Sequence, residues 1–449
     1  MKVDVVVVGL GVGGEEVAGK LAEAGLSVVG IEGRLVGGEC PYWGCVPSKM
    51  MIRAGNLLAE TRRVDGMAGA AQVTPDWAPV AKRIREEATD TWNDTVAVDR
   101  FVGKGGTFVR GWGRLAGHGC VRVGDDEYQA ERAVVIGTGT APAIPPIDGL
   151  AGTPYWTNRE AIEADRLPAS LLVLGGGAIG LELAQVLARF GVEVTVVEAL
   201  DRLLALEEPE SSALAAKALT ADGVTVHTGV SVSAVRHRDD RFTVTAGGTE
   251  LTAERLLVAT GRRANLGDLG LDTVGLDGSA EAVTVDDRMR AGDRIWAVGD
   301  VTGHGAFTHV AMYQAGIAVR DILGRPGPPA DYRALPRVTF TDPEIGAVGL
   351  TETQARETGV RVSVGLAEAP SSARGWIHKA GNDGFIKLVA DADRGVLVGA
   401  TSAGPVGGEV LGALAVAVHG AVPIESLRHM IYAYPTFHRG IEDALRALA

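Results

Sequence analysis

The sequence predicts an α/β fold in which two strand–helix–strand units are joined in series and followed by an α+β block. Three observations carry that expectation. Residues 3–32 read VDVVVVGLGVGGEEVAGKLAEAGLSVVGIE and residues 170–198 read SLLVLGGGAIGLELAQVLARFGVEVTVVE. Each is an apolar run, a G-x-G-x-x-G, an amphipathic stretch, a glycine, a second apolar run and a closing glutamate. From residue 331 onward the pattern changes to strand-like runs (VTF, FIKLVA, GVLVGAT) followed by helices.

The first glycine cluster is Gly9, Gly11 and Gly14, and the second is Gly175, Gly177 and Gly180. In such a turn the first glycine makes the tight bend and the second lets the backbone approach a pyrophosphate. The third lets helix and strand pack closely, with the pyrophosphate on the helix N-terminus. Glu32 and Glu198 lie at the same interval beyond the last glycine and would accept hydrogen bonds from an adenosine ribose. One copy could be an ordinary strand–helix turn with an incidental acid. Two matching copies point to two Rossmann-like dinucleotide sites.

The rest of the chain is organised around them. A polar, helix-like stretch covers about 47–100, and β-rich pieces lead to VVIGTGTAPAIPPIDGL at 134–150, where a strand ends in Thr138-Gly139. LLVATGRRAN at 256–265, which includes Gly261, is the equivalent place in the second unit. RIWAVGDV at 294–301 is another buried strand, ending in Gly299-Asp300, and Pro326, Pro328 and Pro329 mark a linker. The expected divisions are 1–148, 149–271, 272–330 and 331–449.

Composition narrows the class. There are 62 glycines in 449 residues, about twice the usual ~7%, with no Gly-X-Y period. Such usage fits tight turns and close backbone approach to a ligand. A net charge of −13 without a Lys/Arg block argues against a nucleic-acid partner. No run approaches ~18 uninterrupted apolar residues, so no membrane span is expected. The start, Met1-Lys2-Val3-Asp4, does not read as a targeting signal, and three cysteines make no secreted disulfide framework. The expected setting is cytoplasmic.

Two of those cysteines stand together in GGECPYWGCVPSK at 37–49. Zinc would need a second Cys/His pair at ligand spacing, and none is present. Cys40 and Cys45 read better as a redox pair than as a metal site or as two bystander thiols. A helix starting near Val46-Pro47 would put Cys45 at its positive end and favour the thiolate.

Taken together, these segments resemble the flavin-dependent pyridine nucleotide–disulfide oxidoreductases of the lipoamide dehydrogenase, glutathione reductase and mercuric reductase kind. The resemblance spans essentially the whole chain. It includes both glycine fingerprints, C-x4-C-x-P-S-K, A-T-G-R at 259–262, A-V-G-D at 297–300 and VTFTDPEIGAVGLTE at 338–352. It implies an FAD-binding domain over 1–148 and 272–330, an NAD(P)-binding domain over 149–271 and an α+β dimerisation domain over 331–449. Glu32 would hold the FAD ribose and Asp300 the ribityl or pyrophosphate end. Cys45 would be the sulfur nearest the flavin and Cys40 the one that exchanges with substrate. Lys49 would sit close to the flavin and pair with Glu182, and the helix after Phe307-Thr308 would aim its positive end at the flavin's pyrimidine edge.

In one place the chain departs from the family. Many members end in H-P-T-x-x-E, where His is the acid–base and Glu orients it; here the stretch is Tyr434-Pro435-Thr436-Phe437-His438-Arg439. A phenol with a pKa near ~10 is a poor proton acceptor at neutral pH, whereas imidazole titrates near ~6.5. His438 and His429 are alternative bases. Mercuric reductases add a C-terminal cysteine pair, and the final residues ALRALA hold none.

The function expected is that of a homodimeric FAD enzyme. It would pass hydride from NADH through the flavin to a Cys40–Cys45 disulfide, and on to a small disulfide or other oxidised acceptor. Glu198 would repel a 2′-phosphate and favour NAD(H), while nearby Arg202 keeps NADP(H) open. A dihydrolipoyl dehydrogenase subunit and a non-catalytic flavin-binding sensor are the competing expectations.

Overall fold

The computed structural model describes residues 1–448. The chain forms two compact units. The first comprises Met1–Ser48, Lys82–Ala143 and Gly261–Asp331; the second comprises Lys49–Ala81, Ile144–Thr260 and the residues from Tyr332 onward.

In the first unit a parallel sheet runs in the order Ile295–Ala297, Asp126–Ile136, Lys2–Val8, Val28–Glu32 and Thr107–Arg110. Lys2–Val8 is near its centre. The valine run there has no polar alternation because both faces of the strand are covered. Val5 and Val7 enter one core with Val17, Leu21, Phe101 and Ala315, while Val6 and Val8 enter the other with Ile31, Leu115, Val134 and Ile136. Successive side chains of a strand point to opposite faces, so four consecutive valines serve two cores.

In the second unit a four-stranded parallel sheet runs Thr225–His227, Glu193–Val197, Ser170–Leu174 and Arg255–Val258. An antiparallel meander over Val232–Arg238, Arg241–Ala246 and Thr249–Ala253 accompanies it. The residues beyond 331 form a five-stranded antiparallel sheet ordered Pro336–Thr339, Glu344–Gly349, Val396–Gly404, Phe385–Asp391 and Val362–Glu368. The helices Gly407–His419 and Gly440–Arg446 bury Leu411, Leu414, Ala444 and Leu445 in a core with Leu388, Leu397 and Ala400. The α/β class and the α+β C-terminal block are thus as the sequence predicts.

The helix expected near Val46-Pro47 is present, starting at Cys45 and running to Arg62. Two local readings differ. The stretch to residue 100 is broken into Ala78–Arg83, a π-turn over Ile84–Ala88 and Thr95–Gly103. Residues 49–81 group with the second unit because their contacts lie there. Trp77 donates its indole N–H to the Ala164 carbonyl (2.7 Å) and meets the Phe190 ring edge-on at 5.1 Å.

Candidate active site

The two glycine turns have the same construction. Gly9 has φ +91° and Gly175 φ +109°, and a Cβ at either would lie 2.5 Å or less from a carbonyl oxygen, that of Gly137 or Ala259. A Cβ on Gly14 or Gly180 would strike the carbonyl of Gly9 or Gly175. At Gly177 a Cβ would meet nothing within 4 Å, and at Gly11 only the Gly137 carbonyl at 3.9 Å. The outer glycines are therefore fixed by packing, and the middle ones keep a surface clear at the starts of the helices Val12–Glu23 and Ala178–Arg189.

The acids are also used alike. Glu32 accepts from the N–H groups of Leu10 (2.8 Å) and Arg34 (2.7 Å), and Glu198 from those of Gly176 and Leu200. Each carboxylate braces its glycine turn and retains lone pairs for further donors. Burial pushes the Glu32 carboxyl above the usual range, against the two N–H groups that favour its charge. Arg202, by contrast, is committed inward. It donates to the carbonyls of Ala205 and Glu207 and to the Ser212 hydroxyl.

Further along the first unit, Asp300 accepts from the Thr140 hydroxyl (2.8 Å), which itself accepts from the Arg262 guanidinium (2.7 Å). Burial raises the Asp300 carboxyl, opposed by Thr140 and Arg262. Gly261 and Gly299 hold positive φ on either approach to this cluster. The Thr138 hydroxyl is buried without a hydrogen-bond partner among the described residues, beside Gly139. A buried hydroxyl without a partner, a raised carboxyl and a cleared glycine cradle together suit a polar, hydroxyl-bearing dinucleotide.

The sulfurs belong to the same unit. Cys40 lies in the turn Glu39–Tyr42, and Gly44, whose Cβ would sit 3.4 Å from the Cys40 Cα, lets the chain fold back so that Cys45 opens the next helix. The Cys45 sulfur is 3.3 Å from the Thr308 hydroxyl, and Thr308 opens the helix Thr308–Ile322 after Phe307. Two helix N-termini thus converge on Cys45, where they favour negative charge. Both cysteines are thiols here. The Cys40 thiol is pushed well up by its hydrogen bond to Cys45 and then by burial, with the Thr308 hydroxyl acting the other way. Cys45 is exposed and Cys40 half-buried, so exposure does not single out Cys40 for exchange.

In the second unit Lys49 donates to Glu182 at 2.8 Å, and Glu182 is buried. Tyr434 is 69% exposed. Arg439 lies over its ring at 5.4 Å and pairs with Glu442 at 3.1 Å, so the charge left open by the sequence is held by a carboxylate. His438 sits 6.3 Å from the Tyr432 ring, and His429 ends the helix Ile424–His429. Sequence reasoning assigned nothing to Phe340, whose N–H donates to Glu182 at 2.8 Å. It lies inside VTFTDPEIGAVGLTE, but no single-sequence signal marks it.

Two nucleotide cradles and a sulfur pair at a helix start define an oxidoreductase that works with two dinucleotides. The family description "Pyridine nucleotide-disulphide oxidoreductase" matches residues 3–315, and that of its dimerisation domain matches residues 335–445. The chain belongs to this family of FAD-dependent, NAD(P)H-using enzymes. It is 33% identical to the dihydrolipoyl dehydrogenase of Halobacterium salinarum, covering 98% of this chain and 95% of that enzyme. It is also 33% identical to the mercuric reductase of Shewanella putrefaciens, covering 98% and 80%. Among solved structures it is similar to the HOCl-induced flavoprotein disulfide reductase RclA from Escherichia coli, with a TM-score of 0.87, 26% identity and 99% of both chains covered. No helix among the described residues is long and apolar enough to cross a membrane.

Proposed function

We propose that the chain is an NADH-linked reductase that uses FAD and a Cys40–Cys45 disulfide to reduce a small disulfide or another oxidised acceptor. The observation that carries this is the pairing of Cys45 with Thr308, where two helix starts meet at a sulfur whose neighbour Cys40 holds the proton. When bound, FAD supplies two-electron chemistry between a nicotinamide and a disulfide. Gly9, Gly11, Gly14, Glu32, Thr138, Gly139, Gly261, Gly299, Asp300, Phe307 and Thr308 bind and orient it. The Asp300 carboxyl suits the ribityl hydroxyls better than a phosphate of like charge. Gly175, Gly177, Gly180 and Glu198 hold the nicotinamide nucleotide. With Arg202 donating to the Ala205 and Glu207 carbonyls and the Ser212 hydroxyl, the repulsion of a 2′-phosphate by Glu198 decides and NADH is preferred.

In the acceptor step the Cys40 thiolate attacks the substrate disulfide and releases one thiol. Cys45 then displaces the second, restoring the Cys40–Cys45 bond while the two leaving sulfurs take up two protons. Tyr434 of the second subunit in a homodimer donates a hydrogen bond to a leaving sulfur. A screen of oxidised acceptors with NADH tests this. Acceptor turnover lost in Cys40→Ser, with flavin reduction retained, supports it; undiminished turnover refutes it. Dihydrolipoyl dehydrogenase activity is the second reading, favoured by the similarity to the Halobacterium enzyme and disfavoured by Tyr434 in place of histidine.

A further inference from the structure

The Lys49–Glu182 pair is part of a larger construction. Lys49, Asn56 and Arg63 recur every seven residues along and just past the helix Cys45–Arg62, and Glu182, Gln185 and Arg189 line one face of Ala178–Arg189. Asn56 accepts from Arg189 at 2.7 Å. The helices approach at Gly55, where a Cβ would lie 3.5 Å from Val186.

The turn after the strand Pro336–Thr339 is bound into this seam. The Asp342 carboxylate accepts from Arg189 (2.8 Å) and Arg63 (2.7 Å). Its N–H donates to Gln185 (2.7 Å), and its carbonyl accepts from the same side chain (2.9 Å). Only 2% of the Arg189 side chain is exposed, so these are charge-assisted bonds shielded from water.

What the turn presents is Phe340. Its N–H donates to one Glu182 oxygen at 2.8 Å while Lys49 holds the other, and its ring lies 4.6 Å from the Lys49 ammonium. An ammonium on a flexible four-carbon stem has many rotamers. Here a carboxylate fixes it from one side and a ring face from another.

We propose that Phe340 is a positioning residue for hydride delivery, its ring and N–H holding Lys49 and Glu182 in the geometry the nicotinamide requires. This rests on the reading above that the pair serves electron transfer from NADH. The alternative is that Phe340 only fills space.

The test uses the FAD-bound protein as wild type, Phe340→Leu, Phe340→Tyr, Lys49→Met and Lys49→Met with Phe340→Leu. Rapid mixing with NADH gives the limiting rate of flavin reduction and the NADH Kd, and thermal unfolding gives the coupling between the two sites. Phe340→Leu should slow flavin reduction about 3- to 30-fold, the range a partly desolvated cation–π contact supports, with the NADH Kd within about twofold. Phe340→Tyr should restore the rate. In the Lys49→Met background Phe340→Leu should add no further slowing, and the Tm losses should be less than additive. Slow reduction in Lys49→Met with wild-type reduction in Phe340→Leu would overturn this proposal alone. So would equal slowing by Phe340→Leu in both backgrounds, or no rescue by tyrosine. Wild-type reduction in Lys49→Met would show that the underlying reading has failed, and the proposal with it.

Discussion

Cys40 is where the chemistry is most sharply constrained. Its thiol is raised by the hydrogen bond to Cys45 and by burial, yet in the proposed exchange it would attack as the thiolate. Its reactive fraction therefore grows as pH rises through the alkaline range. With tyrosine at 434 there is no imidazole at that position to accept the proton near neutrality. The acceptor half-reaction should climb steadily between about pH 7 and pH 10 with no plateau in the range of imidazole titration, as followed by stopped-flow reoxidation of reduced enzyme. Positioned acid–base help is worth about 10²–10⁴-fold, so wild-type lipoamide activity should be low. Tyr434→His with Arg439→Glu should raise it and flatten the profile near neutral pH. Vigorous wild-type lipoamide turnover, undiminished in Tyr434→Phe, would mean that another base serves. Glu198 gives a second residue-scale expectation: NADH reduces the wild type faster than NADPH, and Glu198→Arg moves the preference toward NADPH. Faster wild-type reduction by NADPH would contradict the role given to Arg202's inward bonds. Such residues were legible in the sequence because their rules are local. A glycine turn, its acid and a Cys-x4-Cys are written within a few dozen residues. Phe340 was not legible, because it lies 158 positions along the chain from Glu182, and such a partner leaves no local mark.

At the scale of elements, buried ion pairs join parts of the second unit that the sequence presents separately. Lys387, on the strand Phe385–Asp391, has a side chain 3% exposed and meets Glu208, Glu210 and Glu352 at 3.0, 2.8 and 2.9 Å. Burial opposes its charge, but the three carboxylates outweigh that and hold its pKa above the usual range. Glu208 immediately precedes the helix Pro209–Ala221, so the contact ties the start of that helix to the C-terminal sheet. Lys387→Met would leave Glu208 buried without its cation and should cost about 3–5 kcal/mol, read as a lowered Tm in calorimetry with the bound flavin spectrum unchanged. An unchanged Tm would show that the cluster is not a tie. The sequence showed FIKLVA as a strand but gave no reason for a lysine inside it, since its partners lie far away in the chain.

For the whole molecule, assembly is the open expectation. The C-terminal block leaves Ile431 95%, Trp376 78%, Val416 69% and Tyr434 69% exposed. Exposed apolar side chains suit an interaction surface if they form one patch, and residues 335–445 match a dimerisation domain, so a second copy is the occupant to test. Light scattering at micromolar concentration should report a dimer. Ile431→Asp should weaken the dimer and lower acceptor turnover while NADH still reduces the flavin; a fully active monomeric wild type would contradict this. The central claim, that an electron pair from NADH comes to rest on Cys40 and Cys45, is tested most directly by anaerobic titration with NADH while absorbance and alkylatable thiols are followed together. The account predicts that the first equivalent yields two new thiols and a long-wavelength absorbance, with the flavin's main band largely retained, and that the long-wavelength feature is lost in Cys45→Ser. Full bleaching of the flavin by the first equivalent, with no new thiols, would contradict it.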